Sequence, residues 1–293
     1  MAQDKRRQKV IIYIVGFLFL CNYLAWFVVW EISRPILFEV VFFDVGQGDS
    51  ALIKTPQGHQ ILIDGGPDAR VLEKLGQEMP FWDKTLDLVI LSHPEQDHMA
   101  GLLAVLENYK VSYILWTGVE RDTALFKEWQ KALVKEQAQD GAVVKLASAG
   151  QKIIISPKSQ IEILYPFENM AGRIMKDSNS SSIVCRLVHN KTSFLFTGDI
   201  GQSGEKALLS REDIFLSARV LKVAHHGSKY STSEDFLAAV SPAYAVISAG
   251  RDNSYGHPHP DVLARLAKFA ITVLRTDHGG DIRFKLKNNE YAQ

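Results

Sequence analysis

The run Leu86-Asp87-Leu88-Val89-Ile90-Leu91 passes without a break into Ser92-His93-Pro94-Glu95-Gln96-Asp97-His98. An apolar segment of that length reads as a buried strand. Four groups able to hold a metal ion, His93, Glu95, Asp97 and His98, leave its end together. Imidazole and carboxylate at that density are costly to bury unless they are paired or gathered round a cation. The fold must therefore deliver this strand end to an edge where a cation can sit; a chance cluster of exposed polar residues is the competing reading. Mixed nitrogen and oxygen donors suit Zn or a harder ion such as Mn.

Val10 to Trp30 is a second constraint: a 21-residue stretch without charge, matching the length of a bilayer span. Tyr13, Tyr23, Trp26 and Trp30 lie along it, and aromatic side chains favour the membrane interface. Glu-Ile-Ser-Arg-Pro follows, with no small-x-small cleavage pattern, so an uncleaved anchor is expected rather than a signal peptide. Lys5, Arg6, Arg7 and Lys9 precede the run and only Arg34 follows it closely. The positive-inside rule then gives a single-pass protein of the cell membrane with residues 1–9 as a basic cytoplasmic stub, residues 10–30 as the anchor and the remainder outside the cytoplasm.

Of the 293 residues, 33 are basic and 33 acidic, which argues against a strongly basic nucleic-acid binder while leaving room for a local patch. Two cysteines, Cys21 and Cys185, exclude a cysteine-based zinc site. Beyond Pro35 the chain alternates strands and turns. Strands are expected at 37–44, 50–55, 59–64, 87–92, 152–156, 160–165, 182–189, 193–197, 219–224, 243–248, 272–275 and 281–286. Helical spacing marks 101–109, 123–139, 205–209, 233–239 and 259–269. Residues 127–145 read as a charged helix and turn, and Asp277–Asp281 as a hairpin turn. Two strand-rich halves with helices outside fit one layered α/β domain over residues 36–288.

Four segments share a grammar, an apolar strand ending in Asp or His beside glycine: Ile61–Gly66, Leu86–Gly101, Phe194–Asp199 and Val220–Ser228. Layered α/β sheets present active-site groups at one edge, and four such ends can converge there. At these residues the chain resembles the metallo-β-lactamase superfamily, and within it the C-terminal hydrolase domain of ComEC-type DNA-internalisation competence proteins. The matching segments are FFDVGQGDSALI (Phe42–Ile53), ILIDGG (Ile61–Gly66), LSHPEQDHMAGL (Leu91–Leu102), NSSSIV (Asn179–Val184), FLFTGD (Phe194–Asp199), LKVAHHGSKYSTS (Leu221–Ser233) and NSYGHP (Asn253–Pro258). The resemblance implies an αβ/βα sandwich preceded by a single transmembrane helix, with a site for one or two divalent cations, Zn or Mn first. It departs from the family where ComEC proteins carry a multi-span channel and this chain has one span. Glu95 stands where the usual pattern has a second His, and Asn179 lies near the place of a lone His ligand. Weak binding, a preference for Mn or Mg, and vacancy all stay open for the first metal position.

The resemblance implies a role for each residue. His93 and Glu95 would serve the first metal position, Asp97, His98 and His226 would be ligands, and Asp199 the bridging carboxylate, with a plain turn residue after Thr197-Gly198 as its competing role. His225 would be a general acid or an orienting donor, with the order of the His225–His226 pair open, and Asp97 and His225 form the catalytic pair. Asn179, Ser228 and His257 are candidates for substrate contact, Ser228 with the competing role of a loop hydrogen-bonder and His257 with that of a lead-in to the helix at Pro260. Asp64, and with it Asp44 and Asp49, would fix loop geometry. Phosphodiester hydrolysis, with DNA as first substrate, is the implied activity, and a competence channel a possible partner. Lys222, Lys229, Arg251, Lys268 and Arg275 are candidate phosphate contacts, and Tyr230 and Tyr255 candidate base-stackers. The alternatives are an extracellular phosphoesterase on a small or cell-wall substrate and a binding or assembly subunit whose metal site has decayed.

Overall fold

Alternation along the strands decides the layers, because successive side chains point to opposite faces of a sheet. Phe42, Ile61, Ile63 and Ile90 join one buried cluster, whereas their neighbours Val41, Leu62 and Val89 join another. The computed structural model describes residues 2–32, 37–287 and 290–292. The expected domain limits at residues 36 and 288 lie outside them. The chain divides into two units, Met1–Ile36 and Leu37–Gln293.

The first unit is one helix, α1 (Ala2–Ile32), so helical geometry reaches back through the basic residues. Its segment Arg6–Trp30 has a mean hydropathy of 2.1 with none of it buried, and by length and composition it is sufficient to cross a membrane.

The second unit holds two sheets. The first runs in the order β15 (Glu290–Ala292), β14 (Ile282–Lys287), β1 (Phe38–Phe42), β2 (Ala51–Lys54), β3 (Gln60–Ile63), β4 (Thr85–Ile90), β5 (Lys110–Trp116) and β6 (Val143–Leu146). The second runs β13 (Thr272–Arg275), β12 (Tyr244–Ile247), β11 (Val220–Lys222), β10 (Thr192–Phe196), β9 (Val184–His189), β8 (Ser159–Tyr165) and β7 (Lys152–Ser156). Their facing sides meet in an apolar layer that includes Phe42, Ile63 and Ile90 from one sheet and Phe194, Phe196 and Val220 from the other. Helices α2 (Arg70–Glu78), α3 (Gln96–Asn108) and α4 (Ala124–Gln139) pack Leu75, Leu102 and Trp129 on the far side of the first sheet. Helices α5 (Gln202–Leu209), α6 (Glu234–Val240) and α7 (Pro260–Lys268) do the same for the second with Leu208, Phe236 and Leu266. This is the αβ/βα sandwich.

β3 through β6 are parallel, as are β10 through β13. Their C-terminal ends carry all four Asp/His-bearing segments. Two glycines join two of those segments. Gly65 N donates to His98 O at 2.8 Å and Gly101 N to Gly66 O at 3.0 Å. A Cβ on Gly101 would collide with the Gly65 carbonyl oxygen, and one on Gly65 with the Leu102 amide.

Several expectations are corrected. α3 begins at Gln96, not Gly101, so Asp97 and His98 sit in a helical first turn. α2, β5 and β6 were not anticipated; β6 is cut from the end of the charged stretch 127–145, where Val143 and Val144 supply β propensity. Asp277–Asp281 is no hairpin turn: α8 (Thr276–Gly279) makes one turn, and the chain crosses from β13 in the second sheet to β14 in the first.

Gly101→Ala should lower stability by about 1–3 kcal/mol, the usual cost of forcing atoms into packed structure, measured as a shift in denaturant midpoint. Gly76→Ala, in α2 with nothing within 4 Å of the added Cβ, should be neutral or stabilise by up to about 1 kcal/mol.

Candidate metal centre

Asp64 follows β3 in a left-handed conformation, φ 58°. One carboxylate oxygen accepts from Ser92 N at 2.7 Å; the other accepts from Ser92 Oγ at 2.7 Å and His98 Nδ1 at 2.9 Å. A carboxylate cannot donate, so Nδ1 of His98 carries the hydrogen and Nε2 is turned toward Asp199 Oδ2, 3.4 Å away. His226 is oriented in the same way by a different acceptor. Its Nδ1 donates to the Ser248 carbonyl at 2.9 Å, leaving Nε2 at 3.2 Å from Asp97 Oδ2 and 3.4 Å from Asp199 Oδ2. Fixing a ligating imidazole through its other nitrogen is how protein metal sites set tautomer and direction. Ligand atoms of Asp97, His98, Asp199 and His226 all lie within 4.8 Å of one another.

Among the described residues, His93 Nε2, His98 Nε2 and Asp199 Oδ1 are buried without a hydrogen-bond partner. Unpaired buried polar atoms are rare; those of His98 and Asp199 belong to the close-set group and the His93 ring lies 4.2 Å from that of His98, which fits a site built for a cation. His93 follows the same logic as the other imidazoles. Ser92 Oγ gives its hydrogen to Asp64 and accepts from His93 Nδ1 at 2.9 Å, so His93 Nε2 keeps a bare lone pair. In a deeper group, Asp49, Asp64 and His98, the side-chain donor atoms likewise lie within 4.8 Å of one another, but there Asp49 is ion-paired to the buried Lys222.

The electrostatics describe a site in which protons balance the carboxylates. Burial alone would depress His226, yet Asp199 and Asp49 overcome it and raise its pKa to about 10. Burial likewise opposes the charged form of His98, but Asp199, Asp64 and Asp97 hold it well above the usual imidazole range. Asp199 and Asp97 are pulled below the carboxylate range against burial, chiefly by His226 and His98 in the first case and by His98 in the second. Burial pushes Asp64 up, with His98 opposing. His93 is driven down to about 3 by burial and by the charge of His98, so it is neutral.

Glu95 is corrected. Its Oε1 is ion-paired with Arg121 and accepts from Ser178 N at 3.0 Å and Ser178 Oγ at 2.8 Å. Its carboxylate is committed to a guanidinium, and the four-residue group assembles without it. Lys222 is corrected as well: it lies inside the site on Asp49, unavailable to external phosphate. Lys268 is paired with Glu234 at 2.6 Å and Arg275 with Asp277.

β11 ends at Lys222, and His225 and His226 both adopt left-handed backbone, φ 50° and 52°. That conformation brings consecutive imidazoles to one cleft, which an extended strand would not allow. His225 Nε2 stands 3.9 Å from Asp199 Oδ2 and its side chain is 31% exposed, at the surface of the site. Burial pushes its pKa below the imidazole norm, with Asp199 opposing. The cleft, about 280 Å³, is also lined by Asn179, Tyr255, His257 and Lys176. The His257 ring is 5.6 Å from that of His225, while His259 provides the cap of α7, accepting from Asp261 N. Ser228 is buried outside the residues that line the cleft, and its Oγ accepts from Tyr230 N at 3.5 Å, the place of the loop hydrogen-bonder. Sequence reasoning missed Ser92, Arg121 and Ser248, which act through other residues and carry no signal of their own; Asp49 was expected to fix loop geometry, and its pairing with Lys222 was not.

Residues 43–251 match the family model described as the Metallo-beta-lactamase superfamily, and the chain belongs to that superfamily. It is 32% identical over 269 residues to ComE operon protein 3 of Bacillus subtilis (strain 168), covering 85% of this chain and 33% of that protein. To Competence protein ComA of Neisseria gonorrhoeae it is 33% identical over 248 residues, 84% of this chain and 32% of the relative. The chain thus spans about a third of the length of these curated relatives. Among solved structures, Igni18, a metallo hydrolase from Ignicoccus hospitalis KIN4/I, superposes with a TM-score of 0.55 at 14% identity, covering 85% of this chain and 100% of its own. Zn(2+)-bound PqqB from Methylobacterium extorquens gives 0.55 at 11% identity, with 85% and 100% covered. These two likenesses speak for the fold alone.

Two outcomes follow from this geometry. Asp64→Asn should weaken divalent-cation affinity roughly 10–100-fold, read by equilibrium titration, because it loosens the His98 ring without removing a ligand. Cation uptake at pH 7 should also release protons. His226, raised from 6.5 to about 10, stabilises the metal-free fold fully below pH 6.5 and loses that contribution as pH rises through about 10. Binding must displace that proton, so apparent affinity should climb with pH up to about 10. Calorimetry with Mn or Zn in buffers of different ionisation enthalpy measures the release; a buffer-independent heat would contradict it.

Proposed function

We propose that this chain is a membrane-anchored, metal-dependent hydrolase of phosphodiesters, with DNA as its first substrate. The observation that carries the reading is the convergence of Asp97, His98, Asp199 and His226 on one point at the floor of an open cleft. His98 and His226, held by Asp64 and by the Ser248 carbonyl, would present Nε2 to a single divalent cation, with Asp97 and Asp199 supplying the carboxylates. His93, whose buried Nε2 is bare, is the proposed extra donor; with Glu95 held by Arg121, one well-formed position is favoured over two. A cation in this site supplies Lewis-acid activation of water and of a phosphoryl oxygen. Oxygen and nitrogen donors in near-equal number suit Mn or Zn.

His225 stands at the cleft surface, where it would meet the leaving group. With its pKa below the imidazole norm it is neutral at pH 7, so it fits an orienting N–H donor better than a resident acid. Asn179 and His257 line the same cleft and would contact substrate, and Tyr255, stacked on His257 at 5.9 Å and 69% exposed, offers a platform for a base. The name of one curated relative, Competence protein ComA, and the resemblance to DNA-internalisation proteins support DNA as substrate and a competence-channel protein as partner. α1 would anchor the chain in the cell membrane with its basic N-terminus in the cytoplasm and residues 37 onward outside. The modest size of the cleft supports a second reading, a phosphoesterase for a small substrate.

The test is turnover of bis-p-nitrophenyl phosphate and single-stranded DNA by the full chain in detergent, with Mn, Zn, Mg or chelator. Metal-dependent cleavage should fall at least 100-fold in Asp97→Ala, and His225→Ala should lose roughly 10²–10⁴-fold. Turnover of the small ester without DNA would select the second reading. A folded protein inert in every metal would reject both.

A further inference from the structure

The loop between α2 and β4 holds Phe81 and Trp82 at 83% and 74% exposure, adjacent in the chain and among the most exposed large apolar side chains of the second unit's described residues. Their rings stack edge to face at 4.8 Å, and neither joins a buried cluster. Apolar pairs this exposed mark surfaces that meet something else. Topology says where this loop lies. β1 is antiparallel to β2 and β2 to β3, so β1 runs with β3, β4 and β5 and starts where they start. The metal-centre residues follow the ends of these strands. The Phe81–Trp82 loop precedes β4, on the opposite edge of the sheet, and the chain enters the second unit through β1 at that same edge.

Only residues 33–37 separate α1 from β1, a connection that cannot exceed about 20 Å. We infer that this edge is a membrane-contact surface, in which Phe81 and Trp82 insert into the interface of the bilayer that holds α1. The inference rests on the anchoring proposed above. Ring pairs of this kind favour the headgroup level, where an apolar body and the indole N–H are both accommodated. Lys84 and Lys110 are exposed beside the loop, tied by Lys110 N to Lys84 O at 2.8 Å, and their ammonium groups match anionic headgroups. The consequence is polarity: the metal centre faces away from the membrane.

The full chain on a Cys21→Ser background, reconstituted in phosphatidylcholine–phosphatidylglycerol nanodiscs, carries a nitrobenzoxadiazole probe at Trp82→Cys, Tyr255→Cys or Phe19→Cys. Headgroup spin-labelled lipid should quench residue 82 at least twofold more than residue 255 at the opposite edge, and acyl-chain spin label should quench residue 19. Equal quenching at 82 and 255, with residue 19 quenched, would overturn the inference while leaving the anchor intact. An unquenched residue 19 would overturn the anchoring and this inference together.

Discussion

Carboxylates gathered at the edge of a packed core need positive charge buried beside them, and that requirement organises the second unit. Asp49, Asp64 and Asp199 are each almost wholly buried at one end of the sandwich, with Asp97 half-buried above them. Lys222 answers Asp49, His98 answers Asp64, and His226 stands between Asp97 and Asp199. Remove the partners and the edge would carry several uncompensated charges, each costing several kcal/mol. A divalent cation is the natural counter-charge for the pair that retains only protons.

The fold makes this arrangement possible by division of labour. The first sheet supplies Asp64, Asp97 and His98, the second supplies Asp199 and the His225–His226 pair, and the apolar layer between them sets their separation. Phe42 against Phe196, with ring centroids 5.5 Å apart, packs directly beneath the site. Packing therefore bears on the site: a change in this layer would alter the spacing of Asp97, His98, Asp199 and His226 even though it touches none of them.

The parts legible in the sequence were those with a local signature. Apolar runs ending in Asp or His gave the four converging segments, and charge-free length gave α1. What escaped was either amphipathic and short or defined by contact at long range. β5 opens on exposed and buried residues in a weak pattern, and α2 has nine residues with only Val71 and Leu75 buried. Glu95 shows the second kind of failure. Its place in the cluster pointed to ligation, but the residue that claims it, Arg121, lies 26 positions away in a loop with no distinguishing pattern. For Ser228, adjacency to two site histidines left substrate contact and loop hydrogen-bonding both open, and its Oγ accepts from Tyr230 N within the loop.

The opposed glycines have a mechanical meaning. Gly65 and Gly101 bring backbone against backbone, so the loop after β3 and the first turns of α3 are joined without side-chain slack. The far wall is built otherwise. Asn253 bonds to Gly250, Tyr255 and His257 within its own loop, and the loop is tied to its surroundings by Gly250 N on Gln47 Oε1 at 3.1 Å and Arg251 Nε on the Asp277 carbonyl at 3.3 Å. One wall of the cleft is thus closed by backbone contact and the other by side-chain hydrogen bonds. The first wall therefore tolerates no added atom at Gly65 or Gly101, whereas the second can be reshaped by exchanging a single side chain such as Asn253.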